Sequence, residues 1–205
     1  MEMGSRDHWH DVYAAKSPDE VSWFEASPSS SLKAIDRLGP DRARSVVDVG
    51  GGASSLADAL LDRGWRDITV VDIAATALAA SQERLGPRAA GVNWLVADIR
   101  VWSPGRTFDI WHDRAVFHFL TDPGGRAGYK SALEAGTKSG SHVIIATFAV
   151  DGPEKCSGLP VQRYDAQSLA AELGPCFHSV EDWRETHRTP WGAPQAFQWA
   201  LFVRT

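Results

Sequence analysis

The chain has 205 residues, 43% of them apolar, and 26 acidic against 21 basic side chains give a formal charge of −5. That length predicts one domain, and the apolar share supports a sizeable core and excludes a disordered composition. The acidic balance, with no run of basic residues, excludes a general nucleic-acid binder. The polar start Met1-Glu2-Met3-Gly4-Ser5-Arg6-Asp7 has no signal-peptide core and no apolar run reaches bilayer length, so a soluble cytoplasmic protein is expected.

After a polar lead, residues 29–38 read as a helix, with Leu32, Ile35 and Leu38 at helical spacing and Gly39-Pro40 as the stop. Residues 45–49 form the first apolar strand. A helix over 54–63 follows, with Leu56, Ala57, Leu60 and Leu61 on one face and Gly64 closing it. The second strand is 67–72, then an alanine-rich helix runs over 74–85 to Gly86-Pro87. The third strand is 92–96, the fourth 108–112, a helix covers 125–136, the fifth strand is 141–149 and a helix begins at Ser168. Strand and helix alternate, which predicts a parallel sheet with helices on both faces. The ending differs: 177–186 and 195–204 are strand-like with no helix between them, so they pair antiparallel. The expected fold is α/β, a Rossmann-like, seven-stranded, mostly parallel sheet with a C-terminal antiparallel hairpin. Residues 1–40 form an N-terminal lid or helical segment and 41–205 the core of one domain.

The chemistry concentrates at the strand ends. Val46-Val47-Asp48-Val49-Gly50-Gly51-Gly52-Ala53-Ser54-Ser55 is a buried strand, a glycine turn and a helix start. A turn without side chains lets a ligand lie against the backbone. The dinucleotide fingerprint G-x-G-x-x-G is incomplete here, because Ser55 stands where the third glycine belongs. Asp48 precedes the turn, where a carboxylate would repel a pyrophosphate but suit an amine or its water network. Asp72 ends the next strand, and Asp98 follows the third.

In this order the motifs resemble the class I S-adenosylmethionine-dependent methyltransferases, from about Trp9 to Arg204. Val46 to Gly52 is similar to that superfamily's first motif, Asp72 to the acid ending its second strand, Ala97-Asp98-Ile99-Arg100 to its third motif, and Phe108-Asp109-Ile110-Trp111-His112-Asp113-Arg114 to its fourth-strand motif. The reversed final hairpin is also typical of it. The resemblance implies S-adenosyl-L-methionine as cofactor and S-adenosyl-L-homocysteine as product. It implies ribose hydroxyls on Asp72, adenine on Asp98 and Ile99, and a cofactor site that also takes in Trp23, Asp48, Gly50, Gly51, Gly52, Ile73 and His112. More locally, Asp113 to Leu120, with Arg126 and Tyr129, is similar to thiopurine S-methyltransferases. The opening Tyr13…Lys16…Glu20-Val21-Ser22-Trp23-Phe24 resembles small bacterial methyltransferases of unassigned substrate and also certain protein-lysine methyltransferases.

His112 lies at the carboxyl end of the fourth strand, which faces the ligand crevice in such sheets, and imidazole titrates near neutrality, so it is the first choice for a proton acceptor. Asp113 is the second. Arg114 either pairs with Asp113 or meets an anionic substrate, and His118 reads as a packed or surface histidine. Tyr13, Trp23 and Phe24 suit an aromatic lid, whose faces attract a sulfonium in a dry crevice. The loop His187-Arg188-Thr189-Pro190-Trp191-Gly192-Ala193-Pro194-Gln195 opens above the crevice if the sixth strand runs parallel to the first five, with His187 and Trp191 exposed to substrate. Residues 150–164 emerge on the same face. No metal is required: His8 and His10 have no third ligand nearby, and Cys156 and Cys176 are too few for zinc.

These residues predict methyl transfer, most simply to a small molecule without nucleic acid or membrane partners. Protein-lysine methylation is the alternative in the same class. A nicotinamide-dependent oxidoreductase is disfavoured by Asp48, the absent glycine and the antiparallel ending. A cofactor-binding protein without turnover is the remaining alternative.

Overall fold

A computed structural model describes residues 6–15 and 20–205; Lys16 of the opening motif lies outside them. The elements in chain order are α1 (Arg6–Ala15), α2 (Ser29–Asp36), β1 (Val46–Val49), α3 (Leu56–Asp62), β2 (Ile68–Asp72), α4 (Ala75–Leu85), β3 (Val92–Val96) and β4 (Phe108–Arg114). They continue with α5 (Pro123–Ala135), β5 (Thr137–Phe148), β6 (Lys155–Cys156), β7 (Leu159–Pro160), α6 (Ala166–Leu173), β8 (Phe177–Arg188) and β9 (Pro194–Arg204). Seven strands form one sheet in the order β3-β2-β1-β4-β5-β9-β8. The first five are parallel, and β9 runs antiparallel to both β5 and β8. β8 is therefore parallel to the first five strands, and the β8–β9 turn opens at the carboxyl edge of the sheet.

This is the architecture that the alternation of elements predicts. The departures are local. Strand β4 continues past His112 to Arg114, α1 falls within the segment expected as a lid or helical piece, and β6 and β7 were not expected as elements. β5 begins at Thr137, earlier than its apolar run, because Ser141 turns its hydroxyl onto the Phe108 carbonyl at 2.7 Å and accepts from the Lys138 amide, satisfying polar residues there. Among the described residues no helix is long and apolar enough to cross a membrane.

Strand alternation sorts the core into two layers. Val46, Ile68, Val70, Ile110, Ile144, Phe197 and Trp199 face α2 and α3, packing with Leu32, Ile35, Leu56 and Leu60. Val47, Val49, Val71, Trp111, Val143, Ile145 and Phe202 face α5 and α6, packing with Tyr129, Leu133, Leu169 and Leu173. Fully burying each large side chain contributes about 1.5–3 kcal/mol. On the second face the Trp111 indole donates to the Tyr129 hydroxyl at 3.0 Å, so the largest buried side chain also satisfies its polar atom.

Helix α5 lies so close to the turn after β3 that a Cβ on Gly128 would stand 2.0 Å from the Arg100 carbonyl oxygen. Neither backbone can yield, so Gly128→Ala is expected to cost about 1–3 kcal/mol. A lowered urea midpoint with unchanged m-value checks this.

Candidate active site

The carboxyl edge of the sheet carries a cavity of about 770 Å³. One wall runs from Val49 and Gly50 after β1, through Val71, Asp72 and Ile73 after β2, to Ala97, Asp98 and Ile99 after β3. The opposite wall is Ala115, Val116, Phe119 and Leu120 after β4. Trp9 and Tyr13 of α1 and Trp23 form a roof of edge-to-face rings: Trp9 lies 5.8 Å from Trp23 and 5.0 Å from Phe119, and Tyr13 lies 6.4 Å from Trp23. A second chamber of about 310 Å³ adjoins it under residues 21–28 and is lined by Glu25, Asp48, Gly51, Ser54, His112 and Arg114 among others. Tyr13, Trp23, Val49, Gly50 and Arg114 border both spaces.

The glycine turn is shaped by the acids on either side. Gly50 has φ +68°, a backbone region that favours glycine, and a Cβ there would meet Val116 at 2.0 Å. A Cβ on Gly51 would meet Asp48 Oδ2 at 2.4 Å, and one on Gly52 would meet Asp72 Oδ2 at 2.6 Å. The turn's carbonyls are held from α4: the Ser81 hydroxyl donates to Gly52 at 2.7 Å, and the Arg84 guanidinium donates to Ala53 and Ser54 at 3.1 and 2.7 Å. The bare backbone of this turn is a cradle that any side chain would fill, which fits a ligand lying along it.

Asp72 is buried, and that burial pushes its carboxyl up to about 7. The Ala74 amide, donating at 2.8 Å, and the Gly52 and Ile73 amides pull the other way, while the negative charge of Asp48 adds to the rise. Asp98 is ion-paired with Arg100, Nη2 to Oδ2 at 2.6 Å, and also accepts the Arg100 amide at 3.0 Å. Burial works against its ionisation, but the Arg100 contacts outweigh it and hold the carboxyl below its usual range. Asp48 accepts from His112 Nδ1 at 2.7 Å, both side chains being almost wholly buried.

The expected site residues divide three ways. Trp23, Gly50, Asp72, Ile73, Asp98, Ile99, Tyr13 and Arg114 line the large cavity, and Asp48, Gly51 and His112 line the adjoining chamber. Gly52 lines neither and packs beneath Asp72.

Four expectations need correction. Asp113 is no candidate for proton transfer, because alternation turns it to the α5 face. There it is fully buried, accepts the Val116 and Phe117 amides at 2.9 and 3.1 Å and meets the Tyr129 hydroxyl. Arg114, on the other face, pairs with Glu25 at 3.3 Å rather than with Asp113, donates to the Trp23 carbonyl at 3.0 Å and lies 5.1 Å over the Phe197 ring. His187 is not exposed: it is buried with Nε2 donating to the Ser22 carbonyl at 2.8 Å and borders neither space. Trp191 is exposed at the β8–β9 turn, and it too lines neither. His118 is packed, as one of its two readings had it: its Nδ1 accepts the Phe148 amide at 3.2 Å and burial pushes it down to about 3.

Several lining residues were not singled out from the sequence. Glu25 and Trp9 come from the N-terminal segment, and Phe119 from a short 3₁₀ turn after β4. Cys156 is the sole lining residue from the 150–164 segment; the β6–β7 hairpin turns its thiol inward, and burial pushes that thiol up to about 12. Ala115 holds φ +72° at the cavity wall, a conformation that its small size tolerates and its composition does not announce.

The comparisons with known proteins agree with this geometry. Residues 46–140 match the family described as a methyltransferase domain. Nodulation protein S of Sinorhizobium fredii (strain NBRC 101917 / NGR234) is 26% identical over 160 residues, covering 69% of this chain and 72% of that protein. A solved structure from work on the conversion of a disulfide bond into a thioacetal group during echinomycin biosynthesis matches with a TM-score of 0.78 at 16% identity, over 97% of this chain and 92% of that one. The N-methyltransferase NodS of Bradyrhizobium japonicum WM9, in complex with S-adenosyl-L-homocysteine, matches with a TM-score of 0.70 at 16% identity, over 97% and 99%.

Burial raises the Asp113 carboxyl from 3.8 to about 6. A folded-state value above the unfolded one means that its share of stability is fully present below pH 3.8 and is lost as pH rises through about 6. Asp113→Asn should therefore flatten the fall in stability across that window, seen as urea midpoints measured at intervals from pH 4 to 7. Asp113→Ala strands two amides and should cost about 1–3 kcal/mol at any pH.

Proposed function

We propose that the chain is a class I S-adenosylmethionine-dependent methyltransferase that transfers the cofactor's methyl group to a small-molecule acceptor, with residues 41–205 as the Rossmann-like core and 1–40 as the lid of one domain. The observation that carries this reading is the continuous wall of Gly50, Asp72, Ile73, Asp98 and Ile99 in a single cavity under an aromatic roof. The cofactor, when bound, supplies an already activated sulfonium methyl, so the protein's work is positioning and exclusion of water.

In this assignment Asp72 accepts the ribose hydroxyls. Asp98 and Ile99 hold the adenine edge and face, with Leu120 and Val116 behind. Ile73 closes that end. Gly50 and Gly51 present bare backbone to the methionine chain, and Gly52 serves by leaving room for the Asp72 carboxylate. Tyr13 and Trp23 cover the sulfonium, where aromatic faces attract a cation once water is excluded. Arg114 orients both spaces by fixing Trp23 and Glu25. His112, steadied by Asp48, is the group available to take a proton from an acceptor. His187 and Trp191 stay outside the site, one anchoring the Ser22 carbonyl and the other as an exposed side chain.

A small acceptor is favoured by the roof, which covers the cavity with Trp9, Tyr13 and Trp23. The likeness to Nodulation protein S and to an N-methyltransferase is in keeping with methyl transfer to nitrogen. With a net charge of −5, nucleic acid is an unfavourable partner, and a cytoplasmic setting suits the free thiols Cys156 and Cys176.

Calorimetry tests the assignment directly. S-adenosylhomocysteine is expected to bind and NAD to give no heat; the reverse result would remove the methyltransferase reading. A second prediction concerns pH. Ribose hydroxyls donate to an ionised carboxylate, and the free Asp72 carboxyl sits at about 7, so a proton must leave for the ligand to bind below that pH. S-adenosylhomocysteine affinity should therefore fall as pH drops from 8 to 6, by up to about tenfold. Asp72→Asn should bind more weakly by about 1–3 kcal/mol and lose this pH dependence. An unchanged wild-type slope in the variant would reassign the ribose contact.

A further inference from the structure

The cofactor contacts assigned above leave part of the large cavity's lining unused. Trp9, Ala115, Phe119 and Cys156 line that cavity, and none of them meets the ribose, the adenine or the methionine chain in the assignment. They come from four separate segments: α1, the residue after β4, the 3₁₀ turn that follows, and the β6–β7 hairpin. They gather toward the sulfonium end, which Tyr13 and Trp23 cover. Trp9 packs edge-to-face on both Trp23 and Phe119, at 5.8 and 5.0 Å. Cys156 is close enough for the Arg114 charge to act on its thiol.

Two aromatic rings and two small side chains suit a flat ring. Rings attract one another edge-to-face, and the thiol and the methyl group leave space between them. The Phe119 wall is held in place: the His118 ring packs on it at 4.5 Å, and Phe148 packs on His118 at 4.7 Å.

Charge narrows the choice further. Arg114, the cation at this end, is matched by Glu25 at 3.3 Å. Asp98 is matched by Arg100 at the adenine end, and Asp72 faces the ribose. The weak acids of this end stay protonated. Burial pushes the Cys156 thiol up to about 12, and burial likewise raises the Tyr13 hydroxyl, with Asp72 adding to the rise. A ligand phenol or thiol placed here loses its hydration in the same way, so it enters uncharged. An organic ammonium would lose its water without a free carboxylate to meet it, beside a sulfonium of the same sign.

We propose, resting on the methyl-transfer reading above, that the acceptor is an uncharged aromatic molecule seated against Trp9, Ala115, Phe119 and Cys156, with its nucleophilic atom turned to the sulfonium. Cys156 is a specificity-determining residue in this scheme: its small side chain sets how large a ring system enters. It acts on the acceptor and not on the cofactor.

The test is calorimetric titration of the S-adenosylhomocysteine complex at pH 7 with four probes of one size. These are 2-naphthol, its saturated counterpart decahydro-2-naphthol, the anion 2-naphthoate and the cation 2-naphthylmethylamine. 2-Naphthol should bind at least about fivefold tighter than the saturated alcohol and at least about tenfold tighter than either charged probe. Cys156→Phe should weaken 2-naphthol by about tenfold or more, and the milder Phe119→Leu by about fivefold, while S-adenosylhomocysteine affinity stays within about twofold in both. Equal affinity for the aromatic and saturated alcohols, tighter binding of a charged probe, or no binding of 2-naphthol overturns the proposal, and these wild-type results stand however the variants fold. A Cys156→Phe chain that loses S-adenosylhomocysteine affinity but keeps 2-naphthol affinity also overturns it, assigning Cys156 to the cofactor wall. Failure of the wild type to bind S-adenosylhomocysteine would instead remove methyl transfer itself, and the acceptor assignment with it.

Discussion

Everything at the carboxyl edge of the sheet depends on a turn that has no side chains because two carboxylates occupy their places. Asp48 leans to within 2.4 Å of where a Gly51 Cβ would stand, and Asp72 to within 2.6 Å of a Gly52 Cβ. Bringing two buried acids onto one loop is unfavourable, and the strain shows in the Asp72 carboxyl, held up at about 7 by burial and by Asp48. The arrangement persists because each acid has its own partners: backbone amides at Gly52, Ile73 and Ala74 for Asp72, and the His112 imidazole for Asp48. Ser81 and Arg84 fix the turn's carbonyls from outside. A local conflict of this kind, offset by surrounding structure, is where a chain gives up stability for a binding surface.

The fold was legible because its determinants are local and repeated. Apolar runs such as Val46–Val49 and Ile68–Asp72 are buried on both sides and read as continuous hydrophobic strands, and the lack of a helix between Arg188 and Pro194 dictated the reversed ending. The strand-end acids were legible for a similar reason: each ends or follows its own strand, so order along the chain maps onto position along one wall. What sequence order does not carry is side-chain direction at the far end of β4. His112, Asp113 and Arg114 are consecutive, and the pleat sends them to alternate faces, so one meets Asp48, the next caps the turn at Val116 and the third reaches Glu25. Reading β4 as ending at His112 hid this, because the alternation continues through Arg114.

The strap over residues 20–28 was the least legible part, since it has no helical or strand period to announce it. Its position is set by contacts from distant elements: His187 of β8 holds the Ser22 carbonyl, and Arg114 of β4 holds the Trp23 carbonyl. The loop reading placed His187 correctly at the carboxyl edge but assigned it outward, whereas the strap covers it. Cys156 was passed over because a thiol in a composition with few cysteines carries no pattern; only the tight β6–β7 hairpin, with Ser157 and Gly158 at positive φ, turns it inward.

Arg114 joins these parts. Its guanidinium is removed from water, lies over Phe197 and divides its donors between the Trp23 carbonyl and the Glu25 carboxylate, so one side chain sets the height of the roof over both spaces. Burial works against its charge, and Glu25 is the first group that offsets this. The two spaces share a wall, and that wall is held by the Glu25–Arg114 pair together with the hydrogen bonds to the Trp23 and Ser22 carbonyls. The walls of the two spaces are thus tied together through Arg114, which the Glu25 carboxylate and the Trp23 carbonyl hold between them.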